Sequence, residues 1–440
     1  MEIAAQLSQA TRNGVVEHDN TERVRSQTGF EVASPKVLLI DSNRWDLGAR
    51  LAIGLTSAGC VVSALCPSVG HPFSVTRAIK RTYPYRASDP IKSIRDAIEG
   101  THPDIIIPSC ERSVEHLHEL YAQALHHETR DESIVALIER SLGNPAAYRI
   151  VTSRYDLLAT ASEEGIRIPE TDRVSSSADL NLWREEKSRK CVIKADGTWG
   201  GVGVCVLSEK DSSEEAWLRI TRTSRLVRAM KRMIVNRDAF YLRAWMNRVE
   251  RPIIAQRFID GYPANCSVFA WRGKVLGFIA VEAVRTERST GPASIVHLIE
   301  NGEIRFAAER IASRLGLSGF FGLDFVIEKQ TGLAYLIEMN PRLTPPCYMR
   351  LEKGRDLVGA LWASLTGMPQ PDNNPVTTSD MIAYNPRALV CSGTPMNCFY
   401  YKPDGEPELA RELESPFPDR TILYRLVQLF DRGPVDAAGA

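Results

Sequence analysis

Apolar and polar positions change period several times along the chain, and each change marks an element. Over Lys36–Asp41 (KVLLID) the apolar residues run without a break, as in a short strand buried on both faces of a parallel sheet. Leu47, Leu51, Ile53, Leu55 and Ala58 then follow a helical spacing that Gly59 stops. A second strand over Cys60–Leu65, a helix over Ile91–Glu99 and a third strand over Asp104–Pro108 continue the alternation. Strands alternating with helices predict an open parallel α/β sheet over 35–140, with ligand-bearing loops after the strands: Ser42, Asn43, Arg44, Ser109, Cys110, Glu111 and Arg112. Helical patterns follow at Val114–Ala124 and Asp131–Arg140.

From Tyr148 the character changes. A helix over Thr152–Glu164 ends at Gly165, with Pro169 beyond. Strand patterns appear at Lys190–Lys194, Val202–Leu207, Arg251–Ile259 and Ser267–Trp271, the last turning through Arg272-Gly273 into Val275–Val281. Between them, 212–245 is charged and helix-like. A strand hairpin covers Phe320–Arg342, and a helix covers Asp356–Leu365. The expected division is a flexible tail at 1–34, an α/β domain at 35–145, a second domain at 146–367, a linker at 368–380 and a small α/β extension at 381–440. In that extension Tyr384–Val390 and Asn397–Lys402 read as strands and Ile422–Phe430 as a helix.

Composition narrows the function without naming it. The 440 residues carry 54 basic and 54 acidic side chains, for a formal net charge of +0. A global footprint for nucleic acid or an anionic membrane is absent. The nine cysteines form no CxxC pair and read as free thiols, several of them buried, in a reducing compartment. No apolar stretch has the form of a secretory signal or a membrane span, so a cytoplasmic protein is expected. His116, His118, His126 and His127 lack further ligand spacing and read as exposed or capping residues rather than a zinc site.

The hairpin at 320–342 is the first place where chemistry shows. Strict alternation puts Asp324 and Val326 on one face of the first strand. It puts Leu336, Glu338 and Asn340 on one face of the second. A turn centred near Thr331 sets Asp324 opposite Glu338, where two carboxylates repel. A divalent cation between them removes that cost, and Asn340 adds a neutral oxygen; such hard donors suit Mg²⁺. An ordinary hairpin with two solvated acids fits this stretch equally. A second feature is Val192–Val204 (VIKADGTWGGVGV), in which a strand delivers Lys194 to a loop containing Gly197, Gly200, Gly201 and Gly203. Such a loop lets backbone N–H groups approach phosphate oxygens, although no P-loop pattern is present. A third is Ile253–Gly261, an apolar strand whose edge and Gln256 could meet a base.

In order and spacing, the lysine, the glycine loop, the strand at Ala255–Ile259, Asp324 and Glu338-Met339-Asn340-Pro341-Arg342 together resemble the ATP-grasp superfamily over about Val151–Thr366. The pattern is most similar to the branch related to carbamoyl-phosphate synthetase and biotin carboxylase, as found in stand-alone carboxylate–amine ligases. The resemblance implies a parallel α/β domain followed by a two-lobed domain with antiparallel sheets, with a lid lobe at about 190–250 and a metal-binding lobe at about 260–367. It implies ATP with Mg²⁺ (or Mn²⁺) held by Asp324, Glu338 and Asn340. It assigns Lys194 to the α- or β-phosphate, and Gly197, Thr198, Gly200, Gly201 and Gly203 to a lid over the triphosphate. Gln256, Arg257, Phe258 and Ile259 would lie along the adenine, and Arg342 would face the transferred group. Two positions depart from the family: Arg154 stands where a lysine is usual, and Asn265 is the nearest match to the ribose-binding acid. Arg285 and Arg288 are candidates for the substrate carboxylate. The activity implied is activation of a small-molecule carboxylate as an acyl phosphate for attack by an amine (or a thiol), with no nucleic-acid or membrane partner. A homodimer stays open, as do a kinase that stops at phosphorylation and an ATP-binding regulatory protein with lapsed catalysis.

Overall fold

The computed structural model describes residues 16–17, 33–67, 70–126, 130–196, 203–222, 252–286, 291–352, 354–384, 397–403 and 405–414. Three sheets organise them. The first has the order β1-β4-β3-β2-β5 and is built from Val16–Glu17, Lys36–Ile40, Val61–Cys66, Arg81–Pro84 and Ile105–Pro108 (β1–β5). Strands β2 to β5 run parallel, as the uninterrupted apolar runs require, and β1 closes one edge antiparallel. Its helices are α1 (Leu47–Ser57), α2 (Pro90–Thr101), α3 (Glu111–His126) and α4 (Glu132–Leu142). Ile94, Leu117, Leu120 and Ile138 from α2 to α4 bury one face of the sheet.

Two short helices, α5 (Tyr148–Thr152) and α6 (Arg154–Glu163), lead to a four-stranded antiparallel sheet. Its strands are β6 (Thr171–Val174), β7 (Cys191–Ala195), β8 (Val204–Leu207) and β9 (Ile253–Arg257), in the order β6-β9-β7-β8, with α7 (Ser177–Glu186) and α8 (Ser213–Arg222) against it. The remaining sheet has seven strands: β10 (Gly261–Trp271), β11 (Lys274–Thr286), β12 (Ala293–Leu298), β13 (Gly319–Glu328), β14 (Ala334–Asn340), β15 (Met381–Ala383) and β16 (Phe399–Tyr400). Arg272 (φ 51°) and Gly273 (φ 81°) make the tight turn from β10 to β11, with positive φ at both positions as a two-residue hairpin favours.

The two faces of this large sheet are dressed differently. One is covered by α6 and α9 (Gly302–Leu315), which bury Ala264, Cys266, Val268, Leu323, Phe325 and Leu336. The other packs at one end on the first domain, through Phe269, Ile279, Phe320 and Leu343 against α1 and α10 (Leu357–Thr366). The chain then returns to its beginning. In α11 (Pro407–Glu414) Glu412 forms an ion pair with Arg44, and just before it Glu406 accepts from the Arg77 N–H at 3.0 Å and the Thr76 hydroxyl at 3.2 Å.

Several sequence expectations change. Strands β4, β6 and β12 are short and partly polar, and helices α7, α9 and α11 lie where no element was expected. Val16–Glu17 pairs with Arg81–Thr82 inside what reads as a tail. The charged stretch at 212–245 is a helix only as far as Arg222; 223–251 lies outside the described residues, as do Ile422–Phe430, Cys391 and His127. The strand expected at Tyr384–Val390 is Met381–Ala383, and 385–396 lies outside the described residues. His116 and His118 are not exposed caps. His116 is buried with Nε2 3.0 Å from the Tyr85 hydroxyl, and His118 stacks on Tyr148, where burial pushes its pKa down to about 4. No described helix is long and apolar enough to cross a membrane.

Candidate active site

Strands β13 and β14 pair with Asp324 opposite Glu338. One feature of the ladder departs from strict alternation. Phe325 pairs with Leu336, so Ile337 is an extra residue in β14. The bulge moves Leu336 onto the face of Phe325 and leaves Glu338 on the face of Asp324, which corrects the shared face expected for Leu336, Glu338 and Asn340. Without it, either an apolar side chain would enter the cleft or an acid would enter the core. Asn265 on β10 pairs with Asp324 from the other side, so Asn265, Asp324 and Glu338 form one row across three strands. Burial pushes the Asp324 carboxyl up to about 6. Glu338 adds to the rise, while the Asn340 amide, Arg342 and Lys194 oppose it.

Lys194 ends a central strand of the small sheet and reaches across the cleft. It is 5% exposed, and its Nζ donates to the carbonyl of the bulged Ile337 at 3.3 Å. Burial pushes its pKa down to about 8, against the pull of Glu338. The Ala195 N–H donates to the Gly203 carbonyl (2.9 Å), and Lys194 pairs with Val204. This closes the root of the glycine loop, and Gly203 takes a left-handed turn (φ 80°) as the chain comes back. Gly197, Thr198, Gly200 and Gly201 lie outside the described residues.

Arg154 follows the capping Ser153 at the start of α6 and joins three pieces. Its Nη1 donates to the Ala195 carbonyl at 2.6 Å, its Nη2 donates to Glu338 Oε1 at 2.7 Å, and its backbone N–H donates to Asp196 Oδ1 at 3.3 Å. Burial raises the Asp196 carboxyl, and Arg154 holds it back. Arg342 is held as firmly. Nε and Nη2 donate to Glu111 Oε1 (2.9 and 2.7 Å), Nη2 also to Asn340 Oδ1 (3.0 Å), and Nη1 to the Leu343 carbonyl (2.7 Å). The Trp45 ring lies against it, 4.9 Å from guanidinium carbon to ring centre. Glu111 belongs to the first turn of α3, so this contact ties the first domain to the end of β14. Burial raises the Glu111 carboxyl, but the charge and hydrogen bonds of Arg342 outweigh it and leave its pKa below the usual range. A small cavity of about 60 Å³ lies between these groups, lined by Glu111, Glu115, Ser153, Arg154, Glu338 and Pro341.

The strand proposed for the adenine is less open than its sequence suggests. The Gln256 amide donates to Thr171 Oγ1 (3.0 Å), and the Arg257 N–H donates to the Glu170 carbonyl (2.8 Å). The Phe258 N–H lies 3.3 Å from the Lys190 carbonyl, and the Lys190 ammonium sits 3.9 Å above the Phe258 ring. Ile259 is buried just past the strand. The structure does not bring Arg285 to the acids. Val284 is bulged, Arg285 pairs with Ile295, and its charge acts on the Tyr400 phenol. Arg288 lies outside the described residues. Asp196 and Trp45 were not singled out by sequence, although Asp196 directly precedes the glycine loop.

Among the described residues no three His, Cys, Asp or Glu side chains gather as a metal cluster. The candidate cation site has two carboxylates and takes its remaining oxygens from amides. It nevertheless fits a hard cation. Asn265 Oδ1 is buried beside Asp324 and meets no hydrogen-bond donor among the described residues. The cleft as a whole joins a lysine and the root of a glycine loop from one sheet to opposed acids from another.

Comparison with known proteins bears on the fold. Residues 152–346 match the model of an ATP-grasp domain family. No curated protein matches the chain in sequence. Among solved structures, the fold is similar to N5-carboxyaminoimidazole synthetase from Staphylococcus aureus in complex with ADP. That match has a TM-score of 0.54 and 14% identity, and covers 78% of this chain and 80% of that one. Biotin carboxylase from Campylobacter jejuni gives a TM-score of 0.53 at 15% identity, over 78% and 73% of the two chains. An L-amino acid ligase from Bacillus licheniformis gives 0.50 at 16%, over 76% and 74%.

Proposed function

We propose that this chain, which carries an ATP-grasp domain over residues 152–346, is a Mg²⁺- and ATP-dependent ligase that activates a small carboxylate as an acyl phosphate and passes the acyl group to an amine. The observation that carries the reading is the meeting of Lys194 with the row Asp324–Glu338 across the cleft. A binding module has little use for two opposed, half-buried acids. The names of the similar structures, an amino acid ligase and two carboxyl-group enzymes, are in keeping with it.

In this reading Asp324 and Glu338 hold the divalent cation, which supplies positive charge to the triphosphate oxygens. Lys194 adds a buried point charge for the α- or β-phosphate, strengthened by the low dielectric around it. The glycine segment 197–203 covers the phosphates, and Arg154 steadies its root. A carboxylate oxygen of the substrate attacks the γ-phosphorus, the bond to the β-phosphate oxygen breaks, and ADP leaves. The amine nitrogen then attacks the acyl carbon, phosphate leaves, and the nitrogen gives up a proton. Arg342, fixed by Glu111 and Asn340, steadies negative charge on the transferred group without having to reorganise. The chain's share of the rate is positioning and charge, together with exclusion of water from the acyl phosphate.

The test is a panel of small carboxylates with Mg²⁺, ATP and hydroxylamine, which traps an acyl phosphate as its hydroxamate. The expected products are hydroxamate, ADP and phosphate, and Glu338→Gln should lower turnover by at least about a hundredfold. AMP and pyrophosphate as products, or a stable phosphorylated substrate, would sink the ligase reading.

A further inference from the structure

We infer that Tyr401, just after β16, and Glu412 on α11 are positioning residues of the active site. They hold the loop that lays Trp45 on Arg342, and Trp45 fixes the plane of the guanidinium that faces the transferred group. The inference rests on the role given to Arg342 above.

Hydrogen bonds hold the edges of the Arg342 guanidinium. Glu111, Asn340 and the Leu343 carbonyl take four of its five N–H protons. The fifth, on Nη1, meets no acceptor among the described residues and is left for an oxygen of the transferred group. A bend of about 30° costs a hydrogen bond little, so contacts at the edges leave the plane free to tilt. The face is where Trp45 acts. Its ring lies 4.9 Å from the guanidinium carbon, a cation–π contact that tilting would weaken. Edges and face together aim the remaining proton.

Trp45 belongs to the loop between β2 and α1, and both of its neighbours are held by one distant segment. Asp46 precedes α1 without making a side-chain cap bond. Its Oδ2 accepts instead from Arg50 Nε at 2.9 Å. The Arg50 guanidinium is 2% exposed and lies against the rings of Tyr348 and Tyr401, 5.5 and 5.6 Å from their centres. On the other side of Trp45, Arg44 gives Nε to the Gly70 carbonyl (2.7 Å) and pairs with Glu412 through Nη2. The segment that supplies Tyr401 and Glu412 has its own hold on the body of the protein. Leu409 and Leu413 are buried in the core that contains Leu47 and Phe73, and Glu406 takes the Arg77 N–H and the Thr76 hydroxyl. It is therefore a fixed support. Removing the charge of Glu412 releases the loop without undocking the segment.

The test uses the full chain labelled with fluorotryptophan. Fluorine NMR gives a resonance for each of the seven tryptophans, and Trp45→Phe identifies that of Trp45 by its loss. Arg342→Met should shift this resonance, since the cation leaves the ring face. Glu412→Gln and Tyr401→Leu should shift it as well, whereas Asn301→Ala, at the start of α9, should not. In the hydroxamate assay Trp45→Leu should lower kcat by about ten- to a hundredfold, with the KM for ATP and metal-free ADP binding unchanged. Trp45→Phe, which keeps an aromatic face, should recover most of that loss. Glu412→Gln should lower kcat by up to about fivefold in the same pattern. The inference is overturned if the Trp45 resonance ignores both Glu412→Gln and Tyr401→Leu, if Trp45→Leu keeps the wild-type kcat, or if Trp45→Phe is as slow as Trp45→Leu. A loss of ADP affinity in step with kcat would overturn it too, because the change would then be a general loosening of the fold. If Tyr401→Leu fails to fold, Glu412→Gln decides. If the wild type gives no hydroxamate with any carboxylate, the ligase reading fails, and the fluorine shifts alone decide whether the two residues hold Trp45 on Arg342.

Discussion

The two faces of the β13–β14 hairpin are made from one pair of strands, yet they obey different rules. On one face Leu323, Phe325, Leu336 and Met339 are buried beneath α6 and α9. On the other, Asp324, Glu338 and Asn340 are spaced by hydrogen bonds and charge. The apolar face fixes the register, because slipping one residue would expose the whole set. The polar face inherits that register and could not have chosen it, since Asp324 and Glu338 repel. Packing on one side thus holds an electrostatically unfavourable arrangement on the other. The bulge at Ile337 is the joint that lets both faces be satisfied. It also turns a backbone carbonyl toward Lys194.

This contrast can be broken from the apolar side. Phe325→Ala should destabilise the fold by about 3–5 kcal/mol, through lost burial and a cavity, in urea unfolding. At temperatures where the variant stays folded, its nucleotide affinity should be near that of the wild type. A large loss of affinity there would mean that the two faces are not separable. The polar face answers to pH instead. The pKa of Lys194 in the folded chain, about 8, lies below its ordinary value of 10.5. The folded chain therefore releases this proton first. The cost of burying the charge is fully present below about 8 and disappears as pH rises toward the unfolded value. Phosphate binding needs the charge, so affinity for metal-free ADP should fall by up to about tenfold for each pH unit above about 8. Lys194→Met should abolish that slope, and a slope that survived the substitution would assign it to another group. The smallest effect expected is at the cap of α9, which covers the apolar face. Asn301 accepts from the N–H groups of Glu303 and Ile304 (3.0 and 3.1 Å), and Asn301→Ala should cost about 1 kcal/mol in the same unfolding assay. Nucleotide affinity should not change with it.

The same division explains what the sequence discloses. The pairing of Asp324 with Glu338 is anticipated by a turn centred on Thr331, but the pairs beside the actual turn, Ile327–Ala334 to Phe325–Leu336, lie half a residue off that centre, and the bulge restores it. The bulge itself is not legible, because one extra residue in a strand has no compositional mark, and strict counting places Leu336 on the wrong face. Helix α9 was within reach. Ile304, Ala307, Ala308, Ile311, Ala312 and Leu315 keep helical spacing between an Asn cap and Gly316, although a strand-centred reading of the region passes over it. Strands β4 and β6 are too short and polar to stand out. The partner of Arg342 could not be read at all. Glu111 lies 231 residues away, and nothing local distinguishes it from the other polar residues in its loop. The commitment of Gln256 and Arg257 to neighbours on β6 and just before it was equally hidden, since it depends on a strand the pattern does not reveal.

The return of α11 to the first domain has a consequence for the order in which the molecule is made. Arg44 and its partner Glu412 are 368 residues apart. At roughly 5–20 residues per second, a ribosome separates their synthesis by roughly 20–70 s. For that interval the loop that carries Trp45 toward Arg342 exists without its final anchor. The first domain can assemble its parallel sheet early, but it acquires the Glu406 and Glu412 contacts only when those residues have been delivered. The finished shape of the cleft is therefore a late event in the life of each newly made chain.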